Sequence, residues 1–162
     1  MTTATPQTYW WFDDVPIGHT ETSPELPVDR DEMLDYARRN DPWPVHLDKD
    51  AATAAGFADI IASFGYTASL LFRLNHNMHI TQRLQPAFIA AVNWQVQMRA
   101  AVIAGDRLRL HQEIIDKRMA SSGGRGVLTT RCAILNQHDA AAVITDVTSL
   151  VRTRSSIEES VH

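Results

Sequence analysis

Residues 37–74 read ARRNDPWPVHLDKDAATAAGFADIIASFGYTASLLFRL, and the rest of the chain is organised around this stretch. Its second part, Ile60 to Leu74, carries no charge until Arg73, and its apolar residues recur at helical spacing. A helix that is apolar or small on every side is a buried helix. At about 15 residues it is too short to cross a bilayer, which needs ~20 apolar residues. The stretch therefore predicts a buried central helix that ends near Asn75.

The first part of the stretch is a loop that contains two groups able to move protons, Asp41 and His46. Pro42 and Pro44 stiffen this loop because they restrict φ at two positions. Residues five apart lie on different faces of a helix, so we expect the pair to converge through the bend of the loop. A carboxylate and an imidazole close together can share a proton or hold one water. On spacing alone, a solvated turn with an unrelated histidine is the alternative.

The start of the central helix offers a second chemical feature. The first backbone N–H groups of a helix have no partner within it, and here they belong to residues around Ser63 to Gly65. Such groups are suitable donors to an oxyanion. Gly65 also lets a substrate or a sheet backbone approach closely, because glycine has no side chain.

Together these residues resemble the MaoC-like dehydratases, the (R)-specific enoyl-CoA hydratase group of the hot-dog fold. Family members carry an Asp-x4-His loop with a proline two residues before the histidine and an aspartate two residues after it. Asp41, Pro44, His46 and Asp48 have that arrangement.

Further matches follow along the chain. An alanine-rich turn, a phenylalanine and an Ile-Ala sequence come next, and Gly-Asp, Arg-Gly and Asn-Gln turns come later. These matches are residues 51–55, Phe57, residues 61–63, residues 104–108, residues 125–126 and residues 136–137. The resemblance covers about residues 10–154, and the combination is far more specific than any one of its motifs.

The resemblance implies an α+β hot-dog fold, in which an antiparallel β-sheet wraps around a central α-helix. It also implies an acyl-CoA or acyl carrier protein thioester as substrate and a homodimer or dimer of dimers as the assembly. The implied catalytic residues are Asp41 and His46, the oxyanion donors are the backbone N–H groups of Phe64 and Gly65, and the pocket residues are Trp43, Ser63 and Phe64.

Two positions depart from the family pattern. Family members often have asparagine or glutamine where this chain has Trp43, and an indole can only donate a hydrogen bond. The glycine at the start of the family's central helix aligns with Phe64, and Gly65 follows one residue later. Because the oxyanion donor is a backbone N–H group, phenylalanine retains it. We predict that the Phe64 ring points into the acyl channel rather than into the core.

Composition narrows the remaining possibilities. The chain has 162 residues, a formal net charge of -4 and no basic block, which argues against a nucleic-acid partner. We expect one domain over residues 1–162, with polar tails at about 1–8 and 155–162. Cys132 is the only cysteine, which fits a reducing compartment. Without a leader sequence or a membrane span in the pattern, we expect a cytoplasmic protein.

The histidines near the predicted helix end are weak candidates for a metal site. His76 and His79 have no third ligand nearby in the sequence, and a zinc site needs at least three protein ligands. We therefore interpret them as surface histidines after the helix and expect neither a metal nor another cofactor.

The segments around the central stretch predict the rest of the fold. An aromatic cluster at residues 9–12 indicates packing over the sheet or at a subunit interface, with stacking on a nucleic acid as the alternative. The expected elements are a weak strand at 20–26, a helix at 29–39 with Asp29 and Glu32 as a capping box, a short helix at 48–55, and strands at 87–101, 107–117, 127–135 and 140–152. Short turns between the last four strands predict an antiparallel meander.

Three functions follow from the residues and the resemblance. The first is reversible addition of water to a trans-2-enoyl thioester, with His46 as the better base because imidazole titrates near neutral pH. The second is an acyl-CoA thioesterase, and the third is a non-catalytic subunit that binds an acyl chain or completes a heterodimer. Candidates to bind CoA phosphates are Arg73, Arg83, Arg99 and Arg125.

Overall fold

The computed structural model describes residues 8–82, 84–121 and 123–154. Within these ranges the helices are α1 (Arg30–Asn40), α2 (Lys49–Ala54) and α3 (Phe64–Gln82). The strands are β1 (Thr8–Trp10), β2 (Thr20–Thr22), β3 (Leu26–Pro27), β4 (Leu84–Pro86), β5 (Phe88–Met98), β6 (Arg107–Met119), β7 (Arg125–Leu135) and β8 (Ala141–Arg152). None of these helices combines the length and the hydropathy required of a bilayer-spanning segment. The polar tails predicted at 1–8 and 155–162 fall, apart from Thr8, outside the described residues.

The main sheet is antiparallel and has the strand order β2-β6-β7-β8-β5, with β3 also paired to β6. Strands β6, β7 and β8 form the predicted meander. The prediction was wrong for β5, which pairs with β8 and not with β6. Residues 99–106 connect β5 to β6 and pass the start of α3, where the Val102 carbonyl accepts the Ala62 N–H at 2.7 Å. Consecutive strands are often neighbours but need not be, so strand patterns alone did not reveal this crossing.

Helix α3 begins at Phe64, which agrees with the predicted start around Ser63 to Gly65, whereas the prediction that Ile60 to Ser63 belong to the buried helix was wrong. The backbone before it is extended, because Ile61 forms a β-bridge with Ile103 and so cannot continue a helix. Ser63 caps the helix, since its Oγ accepts the Tyr66 N–H at 3.3 Å. The helix then continues to Gln82, past the predicted end at Asn75. His76 and His79 consequently lie within the helix and not after it.

The main core lies between α3 and the sheet. On the buried side of the helix, Tyr66, Leu70, Leu74 and Met78 are each 1% exposed or less. Phe72, on the other side, is 56% exposed, so the helix is not buried on every side as we predicted. The result is an antiparallel sheet packed around a central helix, which confirms the predicted α+β class.

Helix α1 is capped as predicted, but its capping box is incomplete. The Asp29 Oδ1 accepts the Glu32 N–H at 2.8 Å. The Glu32 carboxylate instead accepts the Tyr66 hydroxyl at 3.3 Å and the Arg73 guanidinium at 2.7 Å. Glu32 therefore ties α1 to α3 and not to its own cap. Asp41 ends the helix, with its N–H donating to the Ala37 carbonyl at 2.9 Å.

The N-terminal aromatic cluster packs on the protein itself. Phe12 is 5% exposed and lies in a second core with Ile114, Leu128 and Val151. Its ring lies against Gly126, where a Cβ would come within 1.9 Å of a ring carbon. This packing confirms the interpretation that the cluster covers the sheet.

Gly65 provides a test of the packing between α1 and α3, because its close neighbour is the Tyr36 ring and not the predicted sheet backbone. A Cβ at Gly65 would lie 2.5 Å from the Tyr36 hydroxyl oxygen. Replacing a helical glycine by alanine normally stabilises a helix by about 1 kcal/mol. Here we expect Gly65→Ala to destabilise the protein by about 1–3 kcal/mol, since the ring must move.

Tyr36→Phe in the same background should recover much of that loss, because it removes the nearest atom. Urea unfolding of the wild type, both single variants and the double variant measures the coupling. A Gly65→Ala protein more stable than the wild type would contradict this packing.

Candidate active site

The loop between α1 and α2 is held by a series of backbone hydrogen bonds. The Trp43 N–H donates to the Asp41 carbonyl at 2.8 Å, and residues Pro44–His46 form a single 3-10 turn. The Asp48 N–H donates to the Pro44 carbonyl at 2.8 Å, and the Asp48 side chain then caps α2. With both ends fixed to helices, the loop holds Asp41 and His46 in place.

The His46 ring is oriented by a backbone carbonyl. Its Nδ1 lies 2.9 Å from the Ile61 carbonyl oxygen. A carbonyl oxygen only accepts, so Nδ1 must carry a proton and donate. In the neutral ring Nε2 then has the free lone pair, which is the nitrogen able to accept a proton.

Asp41 faces that nitrogen. The distance between Asp41 Oδ2 and His46 Nε2 is 3.6 Å, with 34% of the Asp41 side chain and 13% of the His46 side chain exposed. This separation is long for a direct hydrogen bond and is compatible with one water bridging the two groups. The structure thus brings the predicted pair together, and at least one member is reachable from solvent.

The start of α3 is tied to this pair by a hydrogen bond. The Ile61 carbonyl accepts from His46 three residues before the helix begins, and Ser63 caps the helix. In the described part of the chain, neither the Phe64 N–H nor the Gly65 N–H donates to a protein acceptor. These two groups, predicted as oxyanion donors, are therefore available to a substrate oxygen, and the helix dipole adds to their partial positive charge.

Two adjacent cavities extend along α3 from Phe64, and Asp41 and His46 line neither of them. The first cavity has a volume of about 200 Å³ and includes Phe64 and Thr145 in its lining. The second cavity has a volume of about 310 Å³ and extends as far as Asn75. Leu71, Phe72 and Trp94 line both, so the two cavities adjoin between the helix and the sheet, and together we call them the channel.

The three predicted pocket residues have different positions. Phe64 is 51% exposed and lines the first cavity, so its ring does not pack in the core. Trp43 is 68% exposed and lines neither of the two cavities. Ser63 is 1% exposed, and its hydroxyl serves as the cap of α3.

Sequence reasoning missed the part of the channel formed by the sheet. Thr145 is 1% exposed, and its Oγ1 has no hydrogen-bond partner among the described residues. Glu21 and Gln112 line the second cavity from β2 and β6. Strand alternation separates the two faces of a sheet, but only the pairing of strands shows which polar residues face the helix.

Two of the four candidate cations for CoA phosphates have partners within the protein. Arg73 pairs with Glu32 at 2.7 Å, and Arg99 donates to the Gln97 side chain at 2.5 Å. Arg125 begins β7, and Arg83 lies outside the described residues. No group of three or more His, Cys, Asp or Glu side chains in the described ranges is arranged to bind a metal ion.

Cys132 is a poor nucleophile despite its place in the channel lining. Burial raises the pKa of its thiol to about 12. The reactive form of cysteine is the thiolate, and at neutral pH this group stays protonated. Among the described residues lining the channel, acid-base chemistry therefore depends on other side chains.

Comparison with known proteins gives a family and a fold. The family model of the MaoC like domain matches residues 13–132. No curated protein sequence matches the chain. The structure is similar to the MaoC-like dehydratase from Rhodospirillum rubrum, with a TM-score of 0.80 and 22% identity, covering 90% of this chain and 98% of that chain.

Two further solved structures are also similar. One is the R-hydratase PhaJ1 from Pseudomonas aeruginosa, with a TM-score of 0.65 and 20% identity over 89% of this chain and 86% of that chain. The other is the HadBC (3R-hydroxyacyl-ACP dehydratase) complex from Mycobacterium tuberculosis, with a TM-score of 0.68 and 18% identity over 83% of this chain and 96% of that chain. At these identities the likeness shows the fold alone, which is the predicted hot-dog fold. Because the family model spans well over half of the sequence, this chain belongs to the MaoC-like dehydratase family.

Proposed function

We propose that the protein is an (R)-specific enoyl-CoA hydratase, or a 3-hydroxyacyl thioester dehydratase in the reverse direction. It adds water to a trans-2-enoyl thioester and forms an (R)-3-hydroxyacyl thioester. The observation that carries this proposal is the pairing of Asp41 with the lone pair of His46 Nε2, 3.6 Å apart, next to the start of a central helix.

The start of α3 would bind the thioester carbonyl. When water adds to C3 of the enoyl group, negative charge develops on the carbonyl oxygen as an enolate. The backbone N–H of Phe64 or Gly65 donates to that oxygen, and donors already in place stabilise the charge without reorganisation. Removing one such donor from an oxyanion hole typically costs about 100-fold or more in kcat.

The dyad would hold and deprotonate the water. His46 Nε2 accepts a proton from the water as its oxygen bonds to C3. Asp41 accepts the second hydrogen of that water and so orients its lone pair toward C3. A proton then returns from the dyad to C2 on the same face, which leaves the net reaction as addition of one water.

The two rival functions are less well supported. A thioesterase directs water to the carbonyl carbon with a carboxylate, whereas here the carboxylate faces an imidazole with a free lone pair. A non-catalytic subunit has no need of this pairing. In addition, exposed Trp43 does not fill either cavity, and Phe64 is a lining residue of the first cavity.

The first prediction concerns the dyad. Asp41→Asn and His46→Gln should each lower the turnover of crotonyl-CoA by about 100-fold or more, since positioned acid-base groups contribute that much. Because both groups act on one water, the double variant should be only slightly slower than the slower single variant. The assay follows loss of the conjugated enoyl absorbance.

His76→Gln is the matched control, because His76 is an exposed histidine of α3 away from the dyad. It should keep full activity. If the losses from Asp41→Asn and His46→Gln multiply, the two residues do not act as a unit. Release of free thiol instead of hydration would favour the thioesterase.

The second prediction concerns chain length. Phe64→Ala keeps the backbone donor and widens the first cavity, so kcat/KM for long enoyl-CoAs should rise relative to short ones. One methylene in a pocket is worth about 1–3 kcal/mol, so several methylenes give an easily measured change. Phe57→Ala is the control, since Phe57 is a partly exposed phenylalanine that lines neither cavity. An unchanged length profile would show that the ring does not limit the channel.

We also propose that two copies of the chain associate through β5. This strand lies at the edge of the sheet and carries exposed apolar side chains. Val92 is 57% exposed, Trp94 39% and Met98 48%, and Phe72 of α3 lies against Trp94 with ring centroids 5.6 Å apart. An unpaired apolar edge is a ready site for pairing with another strand. Pairing β5 with its copy would give a homodimer and cover this surface.

The third prediction tests that assembly. Val92→Lys places a charge on the edge strand, which should shift the protein from dimer to monomer in light scattering coupled to gel filtration. Ile17→Lys is the control, because Ile17 is 60% exposed and precedes Gly18, which bonds to Ile114 of β6 on the other side of the sheet from β5. A wild-type monomer at high concentration would contradict the proposal.

A further inference from the structure

The far end of the second cavity contains a buried carboxylate that the proposed hydration chemistry does not use. Only 6% of the Glu21 side chain is exposed. Its Oε1 accepts from His19 Nε2 at 3.1 Å, and its Oε2 accepts from Gln112 Nε2 at 3.2 Å. Burying a carboxylate costs free energy unless it is paired, and these two neighbours provide the pairing.

This carboxylate is part of the lining of an otherwise mainly apolar cavity. His19, Glu21, Asn75 and Gln112 all contribute to the wall of the second cavity. Glu21 retains acceptor capacity, because a carboxylate has about four lone-pair sites and two are used by the protein donors. The Asn75 amide has no hydrogen-bond partner among the described residues, so its N–H groups remain available as donors.

An acceptor and a donor that line the same cavity match a hydroxyl group, which donates one hydrogen bond and accepts others. An ammonium group only donates, so it could pair with Glu21 and the Asn75 amide oxygen but would leave the Asn75 N–H groups unpaired. A methyl group would leave both side chains unpaired.

The distance from the start of α3 determines which part of a substrate reaches this point. From Phe64 to Asn75 the helix rises roughly 16 Å, at about 1.5 Å per residue. The first and second cavities share Leu71, Phe72 and Trp94 along this length. An acyl chain whose thioester lies at the helix start would therefore place its distal end beside Glu21.

On these grounds we propose that the second cavity binds the distal end of an acyl chain that carries a hydroxyl group, with Glu21 accepting from that hydroxyl and Asn75 donating to it. The inference builds on the proposed function in its assignment of an acyl chain to the channel. It adds a specificity determinant at the end of that chain.

Binding of saturated ligands tests the subsite without requiring turnover. Titration calorimetry compares lauroyl-CoA with its ω-hydroxy derivative, and lauric acid with ω-hydroxylauric acid. The wild type should bind each hydroxylated ligand about tenfold or more tightly than its methyl-ended partner, the range expected for a buried hydrogen bond to a charged group. Glu21→Leu and Asn75→Leu should each remove this preference.

Glu113→Gln is the matched control, because Glu113 is the neighbour of Gln112 on β6 and alternation places it on the opposite face. It should keep the preference. If Glu21→Leu does not fold, Asn75→Leu and Glu21→Gln decide the result, since glutamine keeps a polar side chain of similar size and leucine is a good helix former at position 75. Equal binding of the two ligands by the wild type, or a preference that survives in both Glu21→Gln and Asn75→Leu, would overturn the proposal.

Tighter binding of ω-aminolauric acid than of ω-hydroxylauric acid would also overturn it, since that result assigns an ammonium ligand. The outcome is independent of the proposed reaction. Selective binding without hydration of any enoyl thioester would leave the subsite intact and reject the hydratase. Hydration of an enoyl thioester without a preference for the hydroxylated ligands would support the hydratase and reject the subsite.

Discussion

The hydrogen bond from His46 Nδ1–H to the Ile61 carbonyl oxygen is the contact on which the geometry of the candidate site depends. At 2.9 Å it fixes the tautomer, and thereby leaves the lone pair of Nε2 facing Asp41. The same contact joins the proline-stiffened loop to the segment just before α3. Ile61 in turn is held by a β-bridge to Ile103, so the position of His46 depends on backbone pairing with a distant part of the chain.

The helix connects this chemistry to a channel. Ser63 caps α3 through the Tyr66 N–H and leaves the N–H groups of Phe64 and Gly65 available. From there the channel runs between the helix and the sheet, past Phe72 and Trp94. A single helix therefore contributes both the polar groups at one end and an apolar wall for an extended chain. The arrangement suits a substrate with a reactive carbonyl at one end and a long hydrocarbon portion.

Much of this arrangement could be predicted from local sequence. Asp29 and Asp48 cap the helices they precede, and Asp41 and His46 converge across a short loop, because these features depend on residues close in the chain. Local sequence did not predict the features that depend on pairing between distant segments of backbone. The pairing of Ile61 with Ile103 delays the start of α3, and the neighbour of β5 is β8. Glu21 faces the channel only because β2 pairs with β6 in one register, which no motif indicates.

Nitrogen NMR of the His46 ring tests the central claim most directly, with a His46→Gln variant to assign its signals. In the neutral ring we predict that Nδ1 shows the shift of a protonated nitrogen and that Nε2 shows the shift of an unprotonated one. Lowering the pH should then protonate Nε2 while Nδ1 keeps its proton throughout. A neutral ring with its proton on Nε2 would mean that the bond to Ile61 does not form, and it would contradict the role of His46 as the base.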